Sequence, residues 1–369
     1  MKVETLLPLG KTDPGLRASE VPLDLATVYD QAQLVEALGY DSLCVEETKT
    51  DPYIVMALAA QATERLDLTT AVAMAFPRSP TITATSAWTL QELSGGRFTL
   101  GLGTQVRGHI RRRFGLESYP AGPWIRDYVG AVRAVWDCWQ HGTRLNYESE
   151  RYKLDLMVPL FDPGPIEHPA IPIHLAAVNR YMCRVAGEVA DGLRPHPVCT
   201  PSYIDKVMLP ALRRGAQQAG RDASQISVCI KPLIATAPDR EQLEPKIRDV
   251  RARVAFYAST PSYRAAFEHH GLGDLASELQ QLSRAQRWEE MPGLISDEVL
   301  HTYATIGTYD DIADLLYERY GRTVTNAEFS IPVSGEEDRE RLASFVRELQ
   351  GKPAPAGGAP SGSGHGERG

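Results

Sequence analysis

Short apolar runs of strand length alternate with helix-period runs along almost the whole chain, and this alternation constrains the fold more than any single motif. Strand-like runs fall at 3–7, 42–45, 66–74, 97–101, 171–175, 191–194, 226–234 and 326–331. Apolar residues at helical spacing follow at 23–38, 52–63, 80–93, 125–139, 180–189, 203–219, 310–320 and 336–349. A strand joined to the next by a helix returns the chain to the same sheet edge, so such units build a parallel sheet. Eight of them predict an α/β fold of the (β/α)8 type, a TIM barrel with insertions, better than an open doubly wound sheet. The insertions are 141–170, rich in proline and aromatic residues with room for a short hairpin, and 241–300, helical but irregular. One barrel domain is expected over 1–350. The tail, 351–369, is mostly Gly, Pro, Ala and Ser, a composition that predicts disorder.

Charge narrows the partner. The chain carries 47 acidic and 39 basic residues, a net charge of −8, and so has no electrostatic footprint for nucleic acid. Its five cysteines are scattered and never spaced as Cys-x-x-Cys, which predicts neither a disulfide framework nor a zinc knuckle. The first ten residues lack a basic then apolar leader, and no apolar run reaches the roughly 18 residues of a membrane span. A small-molecule partner and a cytoplasmic location are expected.

In a barrel the chemistry lies where strands end and their following loops begin. That filter keeps Glu46, Glu47 and Thr48 after the second strand, and Ala71 to Phe76 after the third, Ala71, Val72 and Ala73 foremost. It also keeps Gly103, Thr104 and Gln105 after the fourth, Ala176 to Arg180 after the fifth, with Ala177, Asn179 and Arg180 foremost, and His196 after the sixth. The run Leu93-Ser-Gly-Gly-Arg-Phe-Thr-Leu-Gly-Leu-Gly-Thr104 reads as helix stop, buried strand and glycine-lined mouth. Gly101 and Gly103 remove side chains at a strand end, where a planar ring or phosphate can approach the backbone. The start of the helix at Arg180 offers free N–H groups to an anion, or Asn179 simply caps it. His109 and His196 are candidate proton carriers because imidazole titrates near neutrality. A dense basic run, Arg107, His109, Arg111, Arg112 and Arg113, is either a solvated face or an anion-binding rim. His174 and the pair His269-His270 lack metal-ligand spacing, so no metal is expected. No third glycine gives a Rossmann fingerprint, and there is neither a P-loop nor a Gly-x-Ser-x-Gly elbow.

Four blocks in order, 39–47, 93–103, 186–193 and 306–308 with the acidic residues after it, resemble the luciferase-like monooxygenase superfamily, whose members use flavin or coenzyme F420. Within it the chain is most similar to actinobacterial F420-dependent oxidoreductases. The resemblance implies a bulge with a non-prolyl cis peptide near Ala71–Ala73 supporting the cofactor ring; an ordinary small-residue strand is the alternative. It also implies phosphate binding near Asn179 and Arg180, although the family's usual glycine is replaced there. The phospholactyl-oligoglutamate tail of F420 would meet the basic run. Thr48 and Val106 stand where sugar-phosphate dehydrogenases of the superfamily carry their acid and base, which argues against that reaction. Glu47 remains as a carboxylate under the ring, either tuning protonation or structural. The implied activity is hydride transfer between F420 and an organic small molecule, with an FMN-dependent monooxygenase and a non-catalytic flavin-binding protein as alternatives. A homodimer through the second and third helices is implied as well. The loops 8–22, 141–170 and 241–300 are expected to select the substrate.

Overall fold

A computed structural model describes residues 1–11 and 22–353 of the chain. Its strands are β1 (Lys2–Leu6), β2 (Ser42–Val45), β3 (Asp67–Thr70), β4 (Ala73–Met74), β5 (Phe98–Gly103), β6 (Tyr147–Glu148) and β7 (Lys153–Leu154). They continue with β8 (Ile173–Ala177), β9 (Gly192–Pro195), β10 (Ser227–Ile230), β11 (Leu233–Ala237), β12 (Ala304–Thr308) and β13 (Asn326–Glu328). Parallel pairing runs β3, β2, β1, β13, β10, β9, β8, β5, β4, and β3 pairs again with β5. Because β3 and β4 are successive halves of one stave, the sheet closes into the expected eight-staved parallel barrel. Such strands are covered on both faces, inside by the barrel and outside by helices. Accordingly all four residues of β2 are buried, as are Val3 to Leu6 of β1.

The helices begin where their caps say they should. Asp51 and Ser79 accept backbone N–H bonds at the starts of Pro52–Ala62 and Pro80–Leu93, and each helix opens on proline, whose fixed φ and missing N–H suit that position. Among the described residues no helix is long and apolar enough to cross a membrane.

Several expectations need correction. The seventh run, 226–234, is two strands, because Lys231-Pro232 interrupts it and proline cannot donate to a ladder. Only β10 stays in the barrel; β11 leaves and pairs in parallel with β12, from Leu233 opposite Ala304 to Ala237 opposite Thr308. The residues 306–308, which the family resemblance implied to be the turn before the last helix, therefore lie in a strand. The third run, 66–74, is broken between β3 and β4. The helix expected at 125–139 spans Ala121–His141, and the last strand is shorter than 326–331. The short hairpin in the 141–170 insertion is present as β6 and β7. The last helix runs through Gly351, past the expected boundary. The rest of the tail, 354–369, and most of the 8–22 loop lie outside the described residues.

Candidate active site

The C-terminal ends of the staves converge on a cavity of about 720 Å3, within the range of roughly 300–1,000 Å3 common for small-molecule sites. It gathers Glu47, Ala71, Val72, Gly103, Thr104, Gln105, Ala177, Asn179 and His196 from the ends of five strands. Four expected residues are not among its lining. Ala73 is buried within β4, and Arg180 is exposed beyond the rim. His109 is exposed on the short helix Arg107–Arg112, whose buried residue is the neighbouring Ile110; one step around a helix separates the two faces. Gly101 is buried in β5, where a Cβ would lie 1.7 Å from the Thr70 carbonyl oxygen. That glycine makes room for the next strand.

The wall between β3 and β5 has its own construction. The Ala71–Val72 peptide is cis, at the position the resemblance implied. Thr70 Oγ1 donates to the Gly101 carbonyl and accepts the Gly101 N–H, both at 2.8 Å. At Gly103 a Cβ would approach Val72 Cγ2 to 2.5 Å, so the Val72 side chain fills the space that glycine leaves. Gln105 has φ +55°, a left-handed conformation uncommon for a side-chain-bearing residue and typical of functional loops. Its own Oε1 accepts the Val106 N–H at 3.0 Å.

Glu47 is fully engaged. Oε2 accepts the Met74 N–H at 2.6 Å, and both oxygens accept from Arg78 at 2.8 and 2.9 Å. Arg78 also reaches Asp51 at 2.9 Å. Burial works against the Arg78 charge, but the bonds to Glu47 and the charge there outweigh it and hold the guanidinium above its ordinary range. Beside it, Glu46 bridges Lys11 and Lys231 at 2.8 and 2.9 Å. Burial alone would raise its pKa; the two ammonium groups reverse this and bring it down to about 2, so Glu46 is a carboxylate under ordinary conditions.

His196 lies against a pair of tyrosines. Its ring stacks on Tyr263 with centroids 3.9 Å apart and meets Tyr257 edge-on at 4.6 Å. The Val198 N–H donates to Nδ1 at 3.4 Å, which puts the proton of the neutral ring on Nε2. On the opposite wall Asn179 caps the helix Arg180–Val189 by accepting the Met182 N–H at 2.9 Å. The capping reading of Asn179 is thus realised, while the other N–H groups of that first turn lack intrahelical partners.

Below the mouth, Arg194 and Cys229 form part of the floor. Arg194 Nη2 donates to Glu4 Oε1 at 2.5 Å and to Cys44 Sγ at 3.3 Å, and Nη1 lies 3.5 Å from His174 Nδ1. Burial, followed by the charges of Arg194 and Lys2, pushes the His174 imidazole down to about 3, so it is neutral.

Sequence reasoning missed Lys11, Arg194, Lys231, Arg253, Tyr257 and Tyr263, all of which line the cavity. Lys231 directly follows a barrel strand, and the same strand-end rule applied to the seventh run would have found it. Arg253, Tyr257 and Tyr263 come from the irregular 241–300 insertion and carry no local signal. Taken together, small residues and bare backbone on one wall, aromatic rings on the other and cations at the rim fit a planar ring bearing an anionic chain.

Comparison with known proteins accords with this geometry. The family described as luciferase-like monooxygenase matches residues 1–326. An uncharacterised protein of Mycobacterium tuberculosis is 43% identical over 300 residues, covering 81% of this chain and 88% of its own. The structure of the coenzyme F420-dependent tetrahydromethanopterin reductase of Methanopyrus kandleri aligns with a TM-score of 0.72 at 19% identity, over 95% of this chain and 98% of its own. EDTA monooxygenase from Chelativorans aligns with a TM-score of 0.70 at 14% identity, over 95% and 92%. At such identities these two structures speak for the fold. The match over most of the length, together with the close mycobacterial relative, places this chain in the luciferase-like monooxygenase family.

Proposed function

We propose that the chain is an oxidoreductase that moves a hydride between coenzyme F420 and an organic small molecule at the barrel mouth. The observation that carries this reading is the pair Arg111 and Arg112. Both are exposed on the short helix that follows the Gly103–Gln105 rim, in a chain of net charge −8. Among the described residues no carboxylate pairs with either. An oligoglutamate chain offers them carboxylates that FMN lacks.

When bound, the cofactor supplies the hydride chemistry, and the protein supplies position and electrostatics. Ala71, Val72, Gly103, Thr104 and Ala177 carry the ring on backbone and small side chains. The first turn at Asn179 and Arg180 receives the phosphate. His196 moves the accompanying proton through Nε2. Glu47, with both oxygens held, positions Met74 and hence the ring-bearing wall. The five cysteines are free and buried, which suits a reducing compartment such as the cytoplasm.

Titration of the purified protein with F420 and with FMN tests this reading. F420 is expected to bind tighter, and Arg111→Ala/Arg112→Ala to weaken F420 by about tenfold, as loss of two exposed charge pairs would, with FMN unchanged. Retained FMN with oxygen consumption, or F420 affinity indifferent to the double substitution, would overturn it. Tight F420 binding with no hydride transfer to any of a broad substrate panel would favour the non-catalytic alternative.

Self-association belongs to the same proposal. Ile54 and Leu58 form an exposed apolar stripe with one helical turn between them, and Ile82 on the adjoining helix is 59% exposed. Apolar stripes of this kind mark interaction surfaces. Light scattering is expected to give twice the chain mass, and Ile54→Asp/Ile82→Asp to halve it. A wild-type monomer, or an unaltered mass in the variant, refutes the assignment.

A further inference from the structure

Beside the mouth lies a second compartment of about 380 Å3. It shares Thr104, Gln105, Arg107 and Ala121 with the mouth cavity, so the two adjoin across the left-handed Gln105. Its far wall is aromatic and held in place. Phe76 and Trp124 stack face to face, with centroids 3.6 Å apart and planes within 3°. Tyr119 meets Trp124 edge-on at 5.3 Å. Each ring is fixed from behind: Trp124 Nε1 donates to Tyr152 Oη at 2.7 Å, Tyr128 abuts Phe76, and the Arg151 guanidinium covers Tyr119 at 4.1 Å.

The lining is also one-sided in charge. It includes one cation, Arg107, and no carboxylate, and among the described residues the Arg107 guanidinium has no side-chain partner. A rigid aromatic wall favours a flat apolar body at low entropic cost. A single unopposed guanidinium favours a planar anion that it can grip with two N–H bonds.

We propose that this side compartment binds the part of the substrate remote from the reacting carbon, and that this part is an aromatic ring bearing a carboxylate. The assignment rests on the mouth cavity being the site of hydride exchange, since sharing a wall with it is what makes the compartment a substrate pocket. The ring packs on the exposed Tyr119 and against the edges of the Trp124–Phe76 stack, the carboxylate meets Arg107, and the reacting end passes between Thr104 and Ala121. Substrates that lack either element bind more weakly.

Calorimetry on the full-length protein, without added cofactor, tests this with 2-naphthoate, acetate as a carboxylate without a ring, and tri-γ-glutamate as probes. Ser118 lines only the side compartment and lies in a loop, so Ser118→Trp fills it while leaving the mouth cavity intact. Arg107→Ala removes the cation. The expected result is that 2-naphthoate binds, acetate does not, and both substitutions weaken 2-naphthoate at least tenfold. F420 affinity, measured separately, stays within twofold in Ser118→Trp. Binding of 2-naphthoate that ignores Ser118→Trp overturns the proposal. So does loss of tri-γ-glutamate or F420 affinity in that variant, because the compartment then serves the cofactor's chain. Should the protein fail to bind F420 yet keep a Ser118-sensitive site for 2-naphthoate, the cofactor reading falls and the pocket stands.

Discussion

Glu4→Gln is expected to destabilise the protein by about 3–5 kcal/mol, the usual cost of leaving one member of a buried ion pair without its partner. The Glu4 side chain is 2% exposed and that of Arg194 10%, at 2.5 Å. Burial opposes the Arg194 charge, yet the Glu4 carboxylate more than offsets this and holds the guanidinium above its ordinary range. A guanidinium keeps its proton even without that support, so Arg194 stays charged after the substitution. A glutamine carbonyl can accept its N–H but supplies no countercharge, and neither can Cys44 or the neutral His174. Glu328 acts on Arg194 as well, which places the expected loss toward the lower figure. Urea unfolding followed by tryptophan fluorescence measures it, and Glu4→Gln/Arg194→Gln should recover part of the loss because it buries no lone charge. A cost below 1 kcal/mol in the single variant would show that the pair is not what neutralises the barrel interior.

Gly101→Ala is the second large effect, expected to cost about 4 kcal/mol or to prevent folding. Ordinary overpacking costs roughly 1–3 kcal/mol because side chains can shift. Here the added carbon would sit 1.7 Å from a main-chain oxygen and 2.9 Å from its carbon, so a whole strand must move. That strand, β3, is also tied to Gly101 by both Thr70 hydrogen bonds and to β5 through Leu68 opposite Phe98 and Thr69 opposite Thr99. Separating them opens the barrel seam next to the Ala71–Val72 wall. Soluble expression and the urea midpoint report the outcome; a variant within 1 kcal/mol of the parent contradicts it. Gly103→Ala is expected to be milder, since its clash is with a side chain, Val72, rather than backbone.

The barrel was legible in the sequence because burial on both faces leaves short apolar runs that no helix resembles, and because caps such as Asp51 and Ser79 punctuate them. The rim was legible for a related reason: strand ends are where small residues such as Ala71, Gly103 and Ala177 have a purpose. What escaped depends on contacts distant in sequence. Nothing near Glu47 announces Arg78, 31 residues on, which occupies the carboxylate that might otherwise exchange protons. Gly101 and Gly103 look alike in sequence, but one yields to a neighbouring backbone and the other to a neighbouring side chain. His109 fell on the solvent side of a six-residue helix whose rotation no short pattern fixes. The strand β12 was hidden because its partner had to leave the barrel first.

The departure of β11 sets where this chain tolerates a change of length. Its pairing with β12 clasps the base of the excursion 238–303, and the barrel resumes with β13. Loop closure grows slowly with length, by about 0.6 kcal/mol for each doubling, so residues can be gained or lost beyond the clasp at little thermodynamic cost to barrel closure. That appendage carries Arg253, Tyr257 and Tyr263 to the mouth. The mouth is thereby walled by two constructions, the eight staves that set its rim and an appendage hung on one two-stranded clasp, and the clasp marks where the appendage can be cut out or grafted without breaking a barrel strand.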